Sequence, residues 1–177
     1  MARTQGPNAI VGRSPANTKT RARKKSSQLW AKPADCKHYL EWYQLAPAEK
    51  IATIRNGIPA RSIGELSRAM EVPQSMLMES LGLSHSTVNR KAQKNQRLSP
   101  TDSERVAGLT ALIGKVQAMV TSPKEFPDFD AAKWTGQWIN EPLPALGGRT
   151  AASYLDTFEG QKLVAHLLGR IEGGVYS

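Results

Sequence analysis

The chain has 177 residues, 40% of them hydrophobic and 22% charged, enough for one ordinary domain or two small ones. That composition excludes a wholly disordered chain, a collagen-like repeat and a coiled-coil rod, and no apolar run approaches the ~20 residues that span a bilayer. The formal charge of +9 is unevenly spread: residues 1–40 carry nine Lys/Arg and one acid, residues 41–100 eight and five, and residues 101–177 seven and nine.

Residues 1–28 have no periodic apolar pattern and read as a flexible basic arm, too polar to offset the entropy of ordering it. Its densest charge is Arg21, Arg23, Lys24 and Lys25. The cluster suits phosphates or an acidic partner, or is simply solvated. The lack of acids before Asp35 also fits an organellar transit peptide, but no amphipathic pattern supports that. Half of the Trp and Tyr residues fall in 29–45. Pro33 can start a helix there, with Cys36, Leu40 and Tyr43 on one face, either packing on the body or forming a sticky segment; packing is the expectation. The single cysteine excludes an intramolecular disulfide and a multi-thiolate zinc site, and it fits a reducing, cytoplasmic address.

From Pro47 the spacing turns helical. Ile51, Ile54 and Ile58 form a stripe, with Gly57 as the stop. Ser62 and Glu65 have capping-box spacing before the stripe Ile63, Leu66, Met70. Pro73 opens a short helix with Leu77 and Leu81. Gly82, Leu83 and Ser84 form a turn, and Ser84 caps a helix that turns Val88 and Ala92 inward. Ser99-Pro100 begins a further helix, helped by Asp102 and Glu104 in its first turn. Val106, Leu109, Ile113, Val116 and Val120 make the longest apolar stripe, ~21 Å at 1.5 Å per residue, able to join two halves of the chain or to form a dimer seam. Pro123 and Pro127 break the pattern. A helix with Trp134, Trp138 and Ile139 ends before Pro142. Residues 145–150 form a tight turn with Thr150 as a cap, and Asp156 and Glu159 open a last helix with Leu163, Val164, Leu167, Leu168 and Ile171 on one face, stopped by Gly173-Gly174. No alternating run of useful length appears, so the expected fold is all-α.

Gln74 to Lys94 has the order of a helix-turn-helix, whose second helix enters the major groove. Its first residues, His85, Ser86, Asn89, Arg90, Gln93 and Lys94, are the candidates for base or phosphate contact. Asn pairs with adenine and Arg with guanine, while Arg90, Lys91, Lys94 and Arg97 supply charge for the backbone. Met78 stands where such motifs usually hold Ala, a bulk that bears on the helix crossing. The competing reading is a helical core that never touches DNA.

Catalytic patterns are poor. His38, His85 and His166 lack metal-ligand spacing, so no metal is expected. Cys36 reads as a buried small residue, and Glu125, Asp128 and Asp130 as a cap and solvated loop. Gly147-Gly148 lacks both a Walker lysine and GxGxxG spacing. No cofactor and no enzymatic activity are expected. A small hydrolase centred on Cys36 or the acidic turn is the weakest reading.

The segment Asn140 to Ser177 resembles the C-terminal toxin-binding region of the Xre/MbcA/ParS antitoxins. Leu146, Gly147, Gly148, Leu155, Thr157 and Gly160 match its pattern in order and spacing, followed by Val164, Leu167, Arg170, Ile171, Glu172, Gly174, Val175 and Tyr176. Ala152 and Tyr154 depart from it, at positions where Pro and Leu are common. The stretch 46–121 is similar to that family's Xre-like helix-turn-helix half.

The resemblance implies the antitoxin of a bacterial toxin–antitoxin pair; with the basic arm (1–28), which lies outside it, the chain then divides into that arm, an Xre-like region (29–121) and a toxin-binding domain (122–177). It implies a partner RES-domain toxin that consumes NAD or ADP-ribosylates, blocked by Arg149, Arg170, Glu172, Val175 and Tyr176. It also implies operator DNA as a second partner, autorepression, and a homodimer within the larger complex. The rival reading is a stand-alone transcriptional regulator whose C-terminal half binds another effector.

Overall fold

The computed structural model describes residues 29, 30, 36–120 and 129–172, the side chains of Cys36 and Glu172 excepted. Eight α-helices account for most of these residues: α1 (Cys36–Gln44), α2 (Pro47–Asn56), α3 (Ser62–Ala69), α4 (Gln74–Ser80), α5 (His85–Gln93), α6 (Pro100–Met119), α7 (Ala131–Trp138) and α8 (Phe158–Glu172). The expected arm, Pro33, the Pro123–Pro127 break, Glu125 and Asp128, and Gly173-Gly174 lie outside the described residues.

The organising element is α6. Its start follows from sequence: Pro100 presets the first turn, and Ser99 Oγ accepts from the Asp102 amide (3.1 Å) while donating to the Asp102 carboxylate (2.7 Å). Its apolar stripe is wider than spacing suggested. Besides Val106, Leu109, Ile113 and Val116, the helix buries Ala107, Leu112, Thr110 and Gly114, so it is apolar nearly all round and sits at the centre of the protein. The helices α1, α2, α7 and α8 pack around it. A dimer seam along Val106–Val120 is therefore ruled out: that stripe is consumed within the chain, where it joins the two halves.

Close approach of α1 to α6 rests on Gly114, where a Cβ would run into the Tyr39 carbonyl. Trp42 Nε1 donates to the Ala107 carbonyl at 2.9 Å, and Trp30 packs edge-on against Trp42 and His38. The aromatic segment thus packs on the body, but through a different face from the expected one. Tyr39 and Trp42 are buried, whereas Leu40 is half-buried and Tyr43 exposed. Burying the Tyr39 and Trp42 rings removes a large apolar area from water, and Tyr43 is left at the surface.

The expectation for α2 holds in part. Pro47 starts it and Gly57 (φ +82°) ends it, pressed against the Leu98 carbonyl. However, Ile51 is exposed, and because the helix stops at Asn56, Ile58 enters the core from an extended segment instead. That segment pairs with residues 96–98: Leu98 donates to the Ile58 carbonyl (2.8 Å), Ala60 to the Gln96 carbonyl (3.0 Å), and Arg97 Nη1 to the Gly57 carbonyl (2.6 Å).

Two expected caps and one expected helix start are corrected. Ser62 is already the first residue of α3, entered through Arg61 in helical geometry, so its buried hydroxyl is not aimed at first-turn amides and has no hydrogen-bond partner. Glu65 pairs with Arg61 at 3.6 Å instead. Thr150 precedes a 3-10 turn (Ala151–Tyr154) without a side-chain bond. The cap of α8 is Thr157, which accepts from the Gly160 amide at 3.1 Å, and Asp156 lies outside the helix. Leu163 is also corrected: it is exposed, while Val164, Leu167 and Leu168 are buried.

The cap expected at Asp130 is present, its carboxylate accepting from the Ala132 and Lys133 amides (2.9 and 3.0 Å). Within the otherwise helical fold, residues 142–150 hold a small hairpin. β1 (Pro142–Leu143) pairs antiparallel with β2 (Arg149–Thr150), and Gly147 and Gly148 turn the chain with φ of +64° and +82°.

Candidate nucleic-acid and partner interfaces

The helix-turn-helix is α4, the turn 81–84 and α5. Gly82 takes a positive φ of +60°, and Leu83 donates to the Met78 carbonyl at 2.8 Å. Leu77, Leu81, Leu83 and Val88 are buried beneath the motif. Met78 is buried with them, so the motif closes around the larger side chain. Ser84 caps α5 as expected, accepting from the Thr87 amide at 3.5 Å.

The packing of Val88 fixes which face of α5 meets water. His85, Ser86, Asn89, Arg90, Gln93 and Lys94 are all exposed, and the structure brings them onto one short polar surface. Lys91 is half-buried. Arg97 is diverted from the expected cationic patch, since its guanidinium holds the Gly57 carbonyl.

Sequence reasoning missed Gln74, at the start of α4, whose Nε2 donates to Asn89 Oδ1 at 3.5 Å. It also missed a polar chain that props the turn. Arg105 Nη1 donates to the Gly82 carbonyl (2.9 Å), and buried Gln161 of α8 donates to the carbonyls of Arg105 (3.0 Å) and Leu155 (2.8 Å). The Gln74–Asn89, Arg105–Gly82 and Gln161–Arg105 contacts have no local sequence signal, because their partners are 15 to 56 residues apart.

The partner-binding candidates are spread over separate elements. Arg149 is exposed on β2, and Arg170 is exposed in the last turn of α8. Glu172 ends α8, its side chain outside the description, and Val175 and Tyr176 lie outside the described residues. Many residues that carried the resemblance prove structural. Leu155 and Val164 are fully buried, Thr157 caps, and Gly160 touches the Tyr154 carbonyl where no Cβ would fit. The departing residue Ala152 is buried, and its amide donates to the Ile139 carbonyl at 2.8 Å, a bond that Pro could not make.

Among the described residues no three His, Cys, Asp or Glu side chains gather as metal ligands, and no helix is long and apolar enough to cross a membrane.

Residues 126–174 match the antitoxin Xre/MbcA/ParS C-terminal toxin-binding domain, and residues 49–110 match the antitoxin Xre-like helix-turn-helix domain. The chain is 40% identical over 139 residues to a protein of Sphingobium sp. (strain YBL2) named Prs ADP-ribosylating antitoxin, covering 78% of this chain and 87% of that one. It is 26% identical over 127 residues to an Antitoxin Xre of Yersinia enterocolitica, covering 72% of this chain and 80% of the other. A similar Antitoxin Xre of Photorhabdus laumondii is 22% identical over 126 residues, 71% of this chain and 80% of that one. With its helix-turn-helix formed and its C-terminal helices matched, the chain belongs to the Xre/MbcA/ParS antitoxins, the antidote half of a toxin–antitoxin system.

Proposed function

We propose that the chain neutralises a RES-domain toxin that consumes NAD or ADP-ribosylates its target, by covering the toxin's active site with its C-terminal surface. It acts by binding rather than by catalysis, and it needs neither metal nor cofactor. Arg149 and Arg170 contribute charge to that surface, and Glu172, Val175 and Tyr176 belong to it. An aromatic side chain with a hydroxyl suits an interface anchor. The name of the Sphingobium relative, which couples an antitoxin with ADP-ribosylation, supports this class of partner.

The second activity is operator binding through His85, Ser86, Asn89, Arg90, Gln93 and Lys94, with repression of the chain's own operon in the cytoplasm. A homodimer would set two copies of α5 one DNA turn apart, ~34 Å, on a two-fold operator. In this reading the chain divides into 1–28, 29–121 and 122–177. The single observation that carries it is the α5 face: six candidate contacts, all exposed, on a helix held rigid by buried Val88 and the Ser84 cap.

The test separates the two activities. Asn89→Ala with Arg90→Ala abolishes sequence-specific DNA binding, read by gel shift, and leaves neutralisation of the adjacent gene's toxin intact, read as cellular NAD. Deleting 173–177 has the reverse effect. Full neutralisation by the truncated chain refutes the covering role, and unchanged operator affinity in the double variant refutes the α5 assignment.

A further inference from the structure

The large apolar side chains left exposed among the described residues are concentrated. Four of the five, Tyr43, Ile51, Phe158 and Leu163, come from α1, α2 and α8. Two of these, Tyr43 and Phe158, line a groove of about 240 Å³ together with Trp42, Ala107, Ala111 and Leu112. No residue of α3, α4 or α5 lines it, so it is separate from the α5 face.

The rim of the groove is cationic. Lys50, Lys115 and Lys162 border it beside Glu104, and Lys162 is paired with Glu159 at 3.0 Å, so Lys50 and Lys115 carry its positive character. Lys50 and Lys162 lie over the rings of Tyr43 and Phe158, their ammonium groups 5.7 and 4.4 Å from the ring centroids. Lys50 donates to the Tyr43 carbonyl (2.7 Å) and Lys115 to the Ala165 carbonyl (2.6 Å). These neutral acceptors leave both positive charges uncompensated. An apolar trough with two uncompensated ammonium groups at its edge is complementary to an amphipathic helix with an acidic margin.

We propose that this groove is a second docking site for the toxin, taking an acidic amphipathic helix of that protein. The inference rests on the toxin-neutralising reading and deepens it. One wall of the groove, α8, lies within the segment 126–174 that matches a toxin-binding domain. The other walls come from α1, α2 and α6, and α1 lies outside both matched segments. Toxin recognition therefore uses the aromatic N-terminal helix as well. A second copy of this chain fits less well, because a two-fold contact opposes the same patch and sets these lysines against one another. The chain's own residues 1–28, with seven basic residues and no acid, are repelled by the same rim. Two linked contacts, groove and C-terminal surface, raise affinity through effective concentration.

The test uses the full chain and the RES-domain product of the adjacent gene, inactivated so that it can be purified, with affinity read by biolayer interferometry. Phe158→Glu with Tyr43→Glu places acid on both exposed lips and weakens binding about tenfold or more, as loss of an aromatic anchor does. Lys50→Glu with Lys162→Glu slows association at low salt, and the difference from wild type shrinks at high salt. Both double variants retain wild-type DNA affinity and thermal stability. Toxin affinity within twofold of wild type in both overturns the groove assignment, and so does a shift of the free chain from dimer to monomer with toxin affinity unchanged, which would seat a second copy there. A wild-type chain that fails to bind the toxin overturns the neutralising reading itself, and so is distinguishable from failure of the groove.

Discussion

Two helical glycines give a sharp test of the packing, because helix propensity predicts the same sign for both and the tertiary structure predicts opposite signs. Replacing Gly by Ala within a helix gains about 1 kcal/mol from propensity. At Gly169 of α8 the new methyl would meet only the Lys115 ammonium, at 3.0 Å, the movable end of a long side chain. At Gly114 of α6 it would run into the Tyr39 carbonyl and approach Tyr43 Cβ to 2.6 Å, atoms fixed by the α1 backbone. Overpacking of this kind costs about 1–3 kcal/mol, and a backbone obstacle puts Gly114 at the upper end. The expected net effects are a gain of up to about 1 kcal/mol for Gly169→Ala and a loss of about 2 kcal/mol for Gly114→Ala. In a chain of this length these correspond to a Tm rise of about 2–4 °C and a fall of about 4–8 °C. Thermal unfolding followed by circular dichroism at 222 nm reads both. A Gly114→Ala protein that melts at or above wild type would refute the close seating of α1 on α6.

Two further outcomes follow from the core and its charges. Trp42→Phe removes the indole donor to the Ala107 carbonyl while keeping an aromatic ring, and should cost about 1–2 kcal/mol, measured by urea unfolding; no loss would place the indole elsewhere. Burial raises the Glu65 carboxyl pKa, outweighing the opposing effects of Arg61 and Arg68. Its charged form is thus the disfavoured one in the folded state, and this group's contribution to stability improves as pH falls through the carboxylate range. Glu65→Gln should therefore gain relative to wild type at pH 7, with the advantage disappearing in acid; an advantage that grows on acidification would reverse the sign argued here.

Much of the architecture was legible in the chain because it depends on contacts between near neighbours. Ser99-Pro100, Ser84, Asp130 and Gly57 act within three or four residues of themselves, so their types announce helix ends before any packing is known. The exposed face of α5 was equally readable, since one inward residue, Val88, fixes the rotation of a short helix. The likeness of the C-terminal segment to antitoxins lay in the order of its residues, and the resemblance was enough to name the family.

Only the tertiary structure decided how those helices use their surfaces. Whether an apolar stripe is a seam or a core depends on what surrounds it, and α6 is enclosed on nearly every side by elements that come from both halves of the chain. The diversion of Arg97 to the Gly57 carbonyl, the Gln161–Arg105–Gly82 brace and the exposure of Leu163 each depend on groups far apart in sequence, which local spacing cannot register. The lysine-rimmed trough has the same origin: Tyr43 and Phe158 are separated by more than a hundred residues, and they become one surface only when α1 and α8 settle on the same central helix.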